Sequence, residues 1–283
     1  MPPRKPDEKT ELVFHALSTE ALELTILGRT PFICNRMSEK ARRQILYPNS
    51  DSNTRAARAV APAKHDPLSE FRESHYRMGT RLRPDPSAET MIAVLAAMFK
   101  ASVRQAALDV PGATKRQIGQ LLWVEGERLP LFGIPKLIMS VVRNSDMGHT
   151  PDIRSRAILP EWTTTITVRY VVPVLKAPSV VNLQIAAGMI TGVGDWRPEK
   201  GNGTFGQFEI VEPDDRRVLR IREEGGRLAQ ERALAEPEPY DDETEDLLDW
   251  YESEFVRRNA LTRAPARNGA AQPAEADEAE VIA

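Results

Sequence analysis

Trp162-Thr-Thr-Thr-Ile-Thr-Val-Arg-Tyr-Val-Val172 alternates more clearly than any other part of the chain. Ile166, Val168, Tyr170 and Val172 fall on one side, and Thr165, Thr167 and Arg169 on the other. A side-chain period of two defines a strand with one apolar and one polar face. Downstream, Pro173–Pro178 turns the chain. Ser179 is placed to cap a helix over 179–187, with Val181, Leu183, Ile185 and Ala186 as its apolar positions. Gln207–Val211 then alternates again. Between that helix and the last strand lies Gly188-Met-Ile-Thr-Gly-Val-Gly-Asp-Trp-Arg-Pro-Glu-Lys-Gly-Asn-Gly-Thr-Phe-Gly206, with six of the chain's sixteen glycines.

Upstream the same order recurs. Ala21–Leu27 alternates, with Leu22, Leu24 and Ile26 on one face, and Gly28 ends it. Ser87 is placed to cap a helix over 87–105. In it Met91, Ile92, Val94, Leu95, Met98, Phe99 and Val103 leave little polar face, as in a helix buried on a sheet. Thr114–Gln117 has capping-box spacing for one turn, Gln120–Val124 reads as a strand, and Leu137–Val142 as another. The sum is close to β-α-β-β-α-β with one extra strand. The expectation is an α+β protein with a ferredoxin-like core over 19–213. A disordered lead-in (1–18), a basic insertion or flap (48–86), a helical acidic extension (214–260) and a disordered acidic tail (261–283) surround or interrupt it. Within the extension, Arg227–Ala235 and Asp241–Asn259 read as helices.

The net charge of −3 conceals an asymmetry. Residues 1–220 hold 31 Lys and Arg against 24 Asp and Glu, whereas 221–283 hold 7 against 17. A basic body with an acidic tail suits a nucleic-acid-binding protein whose tail competes for the basic surface; a solubilising tail accounts for the same composition. The single cysteine, Cys34, excludes an internal disulfide and a cysteine-based zinc site, and fits a reducing cytoplasm. The first residues carry no apolar run, so no secretory signal is expected. Runs such as Met91–Phe99 fall short of the ~20 residues that span a bilayer.

A loop so rich in glycine lets a ligand approach the main chain closely. Asp195, Trp196, Arg197 and Lys200 add charge and an indole. No Gly-Lys-Ser/Thr triplet follows, and Arg197 stands where a dinucleotide fingerprint needs its third glycine. Two readings stand: a site for a polyanion, and a long connection whose glycines only serve turns. Under the first, the nucleic-acid contacts are Arg143, Arg154 and Arg156 from a loop over 143–156, Arg169 from the polar strand face, and Gly192, Gly194, Trp196, Arg197, Lys200, Gly203 and Gly206. Arg72, Arg77, Arg81 and Arg83 join them from the flap. Trp162 and Trp196 either stack unpaired bases, at ~1–3 kcal/mol each, or belong to the core.

His15, His65, His75 and His149 occupy lead-in or loop positions without metal-ligand spacing. No catalytic residue, metal or cofactor is therefore expected. A metal-binding or general-base role for His149, near Asp146 and Asp152, is the enzymatic alternative.

Gly192-Val-Gly194 followed by Arg197, then Phe205-Gly206-Gln-Phe208, resembles the glycine-rich loop of the RAMP superfamily of CRISPR RNA-binding proteins. The resemblance implies a loop that contacts an RNA backbone. Gly28-Arg-Thr-Pro-Phe-Ile, Ser38-Glu-Lys-Ala-Arg, Asp152-Ile-Arg-Ser-Arg, Trp162 and Gly194-Asp-Trp-Arg-Pro-Glu-Lys together resemble an uncharacterised family of phage and prophage proteins, over about residues 20–211. That implies a viral setting, in the cytoplasm of a bacterial host, and supplies no chemistry. The combined expectation is a non-catalytic protein holding single-stranded RNA or DNA on a basic sheet face and the glycine loop. Homo-oligomerisation, and a protein partner for helix 241–259 if that helix does not dock on the body, are further expectations. A viral assembly protein and a RAMP-like ribonuclease are the alternatives.

Overall fold

A computed structural model describes residues 16–37, 66–79, 83, 85–112, 114–143, 151–200 and 203–263; the side chains of 142, 143, 151, 152 and 258–263 are outside the description. In chain order the elements are β1 (Ser18–Gly28), β2 (Phe32–Ile33), α1 (Pro67–Glu73), β3 (Tyr76–Arg77), β4 (Ile92–Leu95) and α2 (Ala96–Ala106). Then come α3 (Lys115–Leu121), β5 (Leu122–Val124), β6 (Arg128–Pro130), β7 (Lys136–Arg143), β8 (Pro151–Leu159) and β9 (Thr163–Val172). The chain continues through α4 (Ala177–Ala186), β10 (Phe208–Val211), α5 (Arg216–Glu224), α6 (Arg227–Ala235) and α7 (Asp242–Arg263).

The main sheet has the order β10-β1-β9-β5 and is antiparallel throughout. Its longest ladder runs from Ser18↔Val172 to Leu27↔Thr163. The alternation read in β9 is the observed one: Ile166, Val168 and Tyr170 are buried, while Thr165, Thr167 and Arg169 keep partial exposure. The apolar face packs with Leu24 and Ile26 against Phe99 and Val103 of α2 and Val180 and Leu183 of α4. Burying side chains of this size contributes ~1.5–3 kcal/mol each. Phe99 meets Phe208 edge-on at 5.6 Å. Trp162 is fully buried, and its Nε1 donates to the Thr30 carbonyl at 2.8 Å. A Cβ on Gly28 would sit 2.2 Å from that indole, so glycine ends β1 here because the ring needs the space. Trp162 is thus core and presents no surface on which a base could stack.

Two smaller antiparallel sheets, β2-β8-β7 and β3-β4-β6, flank the first. They account for most departures from the sequence expectations. The helix expected from Ser87 begins at Ala96. Ile92–Leu95 is instead a strand, held between Tyr76–Arg77 and Arg128–Pro130, and Ser87 closes a turn on Asp85. Helix α3 runs on to Leu121, so β5 starts at Leu122 rather than at Gln120. The loop expected over 143–156 is strand from Pro151 onward, which puts Arg154 and Arg156 on β8.

The described part of the expected flap, 66–79, belongs to the body. Phe71, Ser74 and His75 are buried, and Ser74 Oγ accepts the Ala157 amide at 2.8 Å. Residues 38–65, with most of the basic flap, lie outside the described residues, as do 1–15 and 264–283.

The acidic extension is also integral. Val218 and Ile221 of α5, a helix not anticipated, cover Leu27 and Phe132 on the second face of the main sheet. Gln230 of α6 is fully buried and accepts the amides of Met91 and Ile92 at 2.9 Å each. Helix α7 docks on β7, where Thr244 Oγ1 accepts the Met139 amide at 3.1 Å. Among the described residues no helix is long and apolar enough to cross a membrane.

Candidate functional site

The glycine loop is folded down onto the second sheet. Gly192, Gly194 and Gly206 take left-handed φ values of 70°, 85° and 72°, and Trp196 joins them at 49°. These conformations let the main chain bond to itself and to the body. The amides of Gly192, Val193, Asp195, Phe205 and Gly206 donate to the carbonyls of Ala187, Gly206, Ile33, Trp196 and Pro31 respectively. A Cβ on Gly203 would lie 1.9 Å from the Trp196 carbonyl, so its glycine serves packing. Trp196 is half-buried over Ile33, Ile138 and Ile158, with Phe205 6.1 Å away. The amides of Gly192 and Gly206, two of the glycines expected to meet a ligand, are thus spent on holding the loop.

Three of the predicted cations are engaged as well. Arg156, across from Ile138 on β8, forms an ion pair with Asp195. Arg197 reaches Glu199 at 2.8 Å and the Gly194 carbonyl at 2.9 Å. Arg169 forms an ion pair with Glu125 on the face it shares with Glu23, so that sheet face is mixed in charge and not basic. Lys200 is exposed at the loop tip, Arg154 is half-buried on β8, and Arg143 ends β7. The loop is thus a built part of the fold, with Arg156 and Arg197 paired to carboxylates and Lys200 exposed.

A different basic surface comes from the former flap. Arg72 and Arg77 join Arg36 and Arg128, neither singled out from sequence, around a cavity of about 550 Å³. Glu73 is the one acid among its lining residues. The four arginines arrive from separate elements. Arg36 follows β2 and donates to the Glu73 carbonyl at 2.7 Å. Arg72 on α1 donates to the carbonyls of Leu234 and Ala235 at 3.0 and 3.2 Å, at the end of α6. Arg128 on β6 donates to the carbonyls of Arg77 (2.8 Å) and Gly79. Carbonyls orient a guanidinium without cancelling its net charge, and Arg128 also pairs with Glu127 at 3.8 Å.

His75 lies in the cavity wall, 1% exposed, with no hydrogen-bond partner for either ring nitrogen among the described residues. Burial, reinforced by Arg77 and Arg36, pushes its pKa down to about 3, so the imidazole is neutral at physiological pH. A buried, unsatisfied polar group costs ~1–3 kcal/mol. Sequence offered no signal for this grouping, because its members are far apart in the chain. Cys34, beneath the same segment, is fully buried, and burial pushes its thiol up to about 12. Arg81 and the other three histidines lie outside the described residues, and Arg83 is exposed. Among the described residues no group of three or more His, Cys, Asp or Glu is arranged to hold a metal ion.

No protein-family model matches the chain, and no curated protein matches it. Among solved structures the chain is similar to one in the cryo-EM structure of the Type III-B Cmr-beta bound to cognate target RNA, with a TM-score of 0.31 and 12% identity. The match covers 69% of this chain and 59% of that one, so the present chain spans less than two thirds of its length. A likeness at this level carries no inference about function.

Proposed function

We propose that this is a non-catalytic protein that holds single-stranded RNA or DNA by its phosphates, in the cavity walled by Arg36, Arg72, Arg77 and Arg128. The observation that carries the reading is the gathering of four arginines from separate elements around one hollow whose lining holds a single acid, Glu73, with Glu127 beside Arg128. Guanidinium forks match phosphate oxygens bidentately, which favours arginine wherever phosphate is bound. The scaffold is, in this reading, a ferredoxin-like unit of a phage-type protein working in a bacterial cytoplasm. The sheet order β10-β1-β9-β5, with α2 and α4 packed on one face, supports that topology. The test is fluorescence anisotropy with labelled single-stranded DNA and RNA between about 50 and about 200 mM salt. Binding tighter than ~10 µM at the lower salt, falling steeply at the higher, is expected. No binding at either salt overturns the reading.

A second reading, a viral assembly protein, is favoured by Trp250, Phe255 and Val256, which are exposed on α7. Self-association in light scattering that is lost in Trp250→Ala supports it.

A further inference from the structure

We propose that an uncharged groove between α3 and α4 is the seat of the chain's own Leu12-Val13-Phe14, which lie outside the described residues. The inference is independent of the nucleic-acid reading. Three observations carry it.

The first is the groove itself. Its volume is about 380 Å³, more than twice the ~150 Å³ in which an apolar protein cavity takes up a benzene ring. Ile118 and Leu121 wall it from α3, Val180 and Leu183 from α4, and Val174 and Leu175 from the turn after β9. No described residue lining it is charged; exposed Gln117, Ser179 and Asn182 supply polar atoms at the rim. An ion finds no counter-charge there, whereas an apolar peptide finds contacts for its side chains and hydrogen-bonding groups for its backbone.

The second is where the described chain begins. Ser18 pairs with Val172 at the end of β9, and Val174 of the groove follows two residues later. The Leu175 amide donates to the Val171 carbonyl at 2.9 Å, which folds that turn back on the strand end. Phe14 precedes Ser18 by four residues, a reach of at most about 14 Å. Within residues 1–15, Leu12, Val13 and Phe14 are the only three consecutive apolar residues. So short a tether holds them near the groove at an effective concentration of roughly millimolar, which favours the chain's own segment over that of a second copy.

The third is direction. Leu22, Leu24 and Ile26 of β1 face the helices, and Glu20 shares that side, where its carboxylate accepts from the Tyr170 hydroxyl at 2.7 Å. A period of two carried upstream puts Leu12 and Phe14 on the same side, and Val13 on the other with exposed Leu17. Along that side β1 passes from buried Ile26 and Leu24 to exposed Glu20 and Ser18, so the helices leave this end of the strand uncovered. β9 stops at Val172, and the incoming chain crosses onto the groove there instead of extending the ladder.

The test is hydrogen–deuterium exchange of the full chain, read by mass spectrometry at low and at high protein concentration. Peptides covering residues 11–17 are expected to exchange about tenfold or more slowly than in Phe14→Ser, equally at both concentrations. Peptides covering 174–183 should exchange faster in that variant. Val174→Asp, which places a charge in the groove at a residue 55% exposed, should release 11–17 to the same extent. Circular dichroism checks that both variants are folded. Exchange of 11–17 at the Phe14→Ser rate at both concentrations overturns the proposal. Protection that appears only at high concentration overturns it in favour of a second copy's segment. Protection that survives Val174→Asp overturns it by placing the segment elsewhere.

Discussion

Arg156 on β8 and Asp195 in the glycine loop form an ion pair that ties the loop to the second sheet. Both side chains are largely buried, at 23% and 28% exposure, so the pair is partly shielded from water and salt. Removing the acid leaves a half-buried guanidinium uncompensated. Removing the arginine takes the buried charge away and leaves the more easily solvated partner. Asp195→Ala is therefore expected to cost about 1–3 kcal/mol in urea denaturation, and Arg156→Met less. Because Arg156 is already neutralised, Arg156→Met should also leave oligonucleotide affinity within about twofold.

Gly206 is the second anchor of the loop. Its φ of 72° is left-handed, and a Cβ there would lie 1.7 Å from the Val193 carbonyl. The alanine variant must distort the backbone that carries the Val193–Gly206 and Gly206–Pro31 hydrogen bonds. Gly206→Ala is expected to destabilise by about 2–4 kcal/mol. Thermal unfolding measures this, and an unchanged midpoint would show that the loop is not anchored as described.

The main sheet and this loop differ in how far the sequence exposed them. β1, β9 and β10 were legible because each sheds one face to polar groups, so a period of two survives in the residue pattern. Ile92-Ala-Val-Leu95 was not, because a short run buried all round looks the same as a buried helix until its partners are known. Those partners, Tyr76–Arg77 and Arg128–Pro130, are remote in sequence. The loop's glycines were visible, and so were Asp195 and Glu199, whose carboxylates neutralise Arg156 and Arg197. What local reading cannot supply is which charge meets which. The cavity, which gathers Arg36, His75, Arg77 and Arg128, exists only in the folded chain.

Gln230 tests whether the C-terminal helices are an appendage. Its Oε1 accepts two amides, and its Nε2 donates to the carbonyls of Leu131, Gly133 and Gly225 at 2.8, 3.1 and 3.1 Å. Gln230→Leu keeps the bulk and strands these groups in a dry interior, at about 1–3 kcal/mol for each one left unsatisfied. A loss of about 3 kcal/mol or more in chemical denaturation is expected. A loss below about 0.5 kcal/mol, the range of ordinary surface substitutions, would mark the extension as detachable.

His75 sets a pH dependence. Its reference pKa is 6.5 and its folded value about 3, so between these values the unfolded chain takes up a proton that the folded chain refuses. Stability from this group is complete above pH 6.5 and is lost as pH falls toward 3, at about 1.4 kcal/mol per unit. Arg77 and Arg36 oppose its protonation; Arg72 and Arg128 line the same cavity, and Glu73 is the acid on that wall. The urea midpoint should fall between pH 6.5 and 5 in the native chain and stay flatter in His75→Gln.

The most direct measurement titrates one labelled single-stranded oligonucleotide into the native chain and into Arg36→Gln/Arg77→Gln across a range of salt. The expected result is micromolar binding by the native chain, at least tenfold weaker binding by the double variant, and a log–log salt slope shallower by about 0.7 for each phosphate no longer neutralised. Equal affinity and equal slope for the two proteins would contradict the account, because the basic cavity would then have no part in holding nucleic acid.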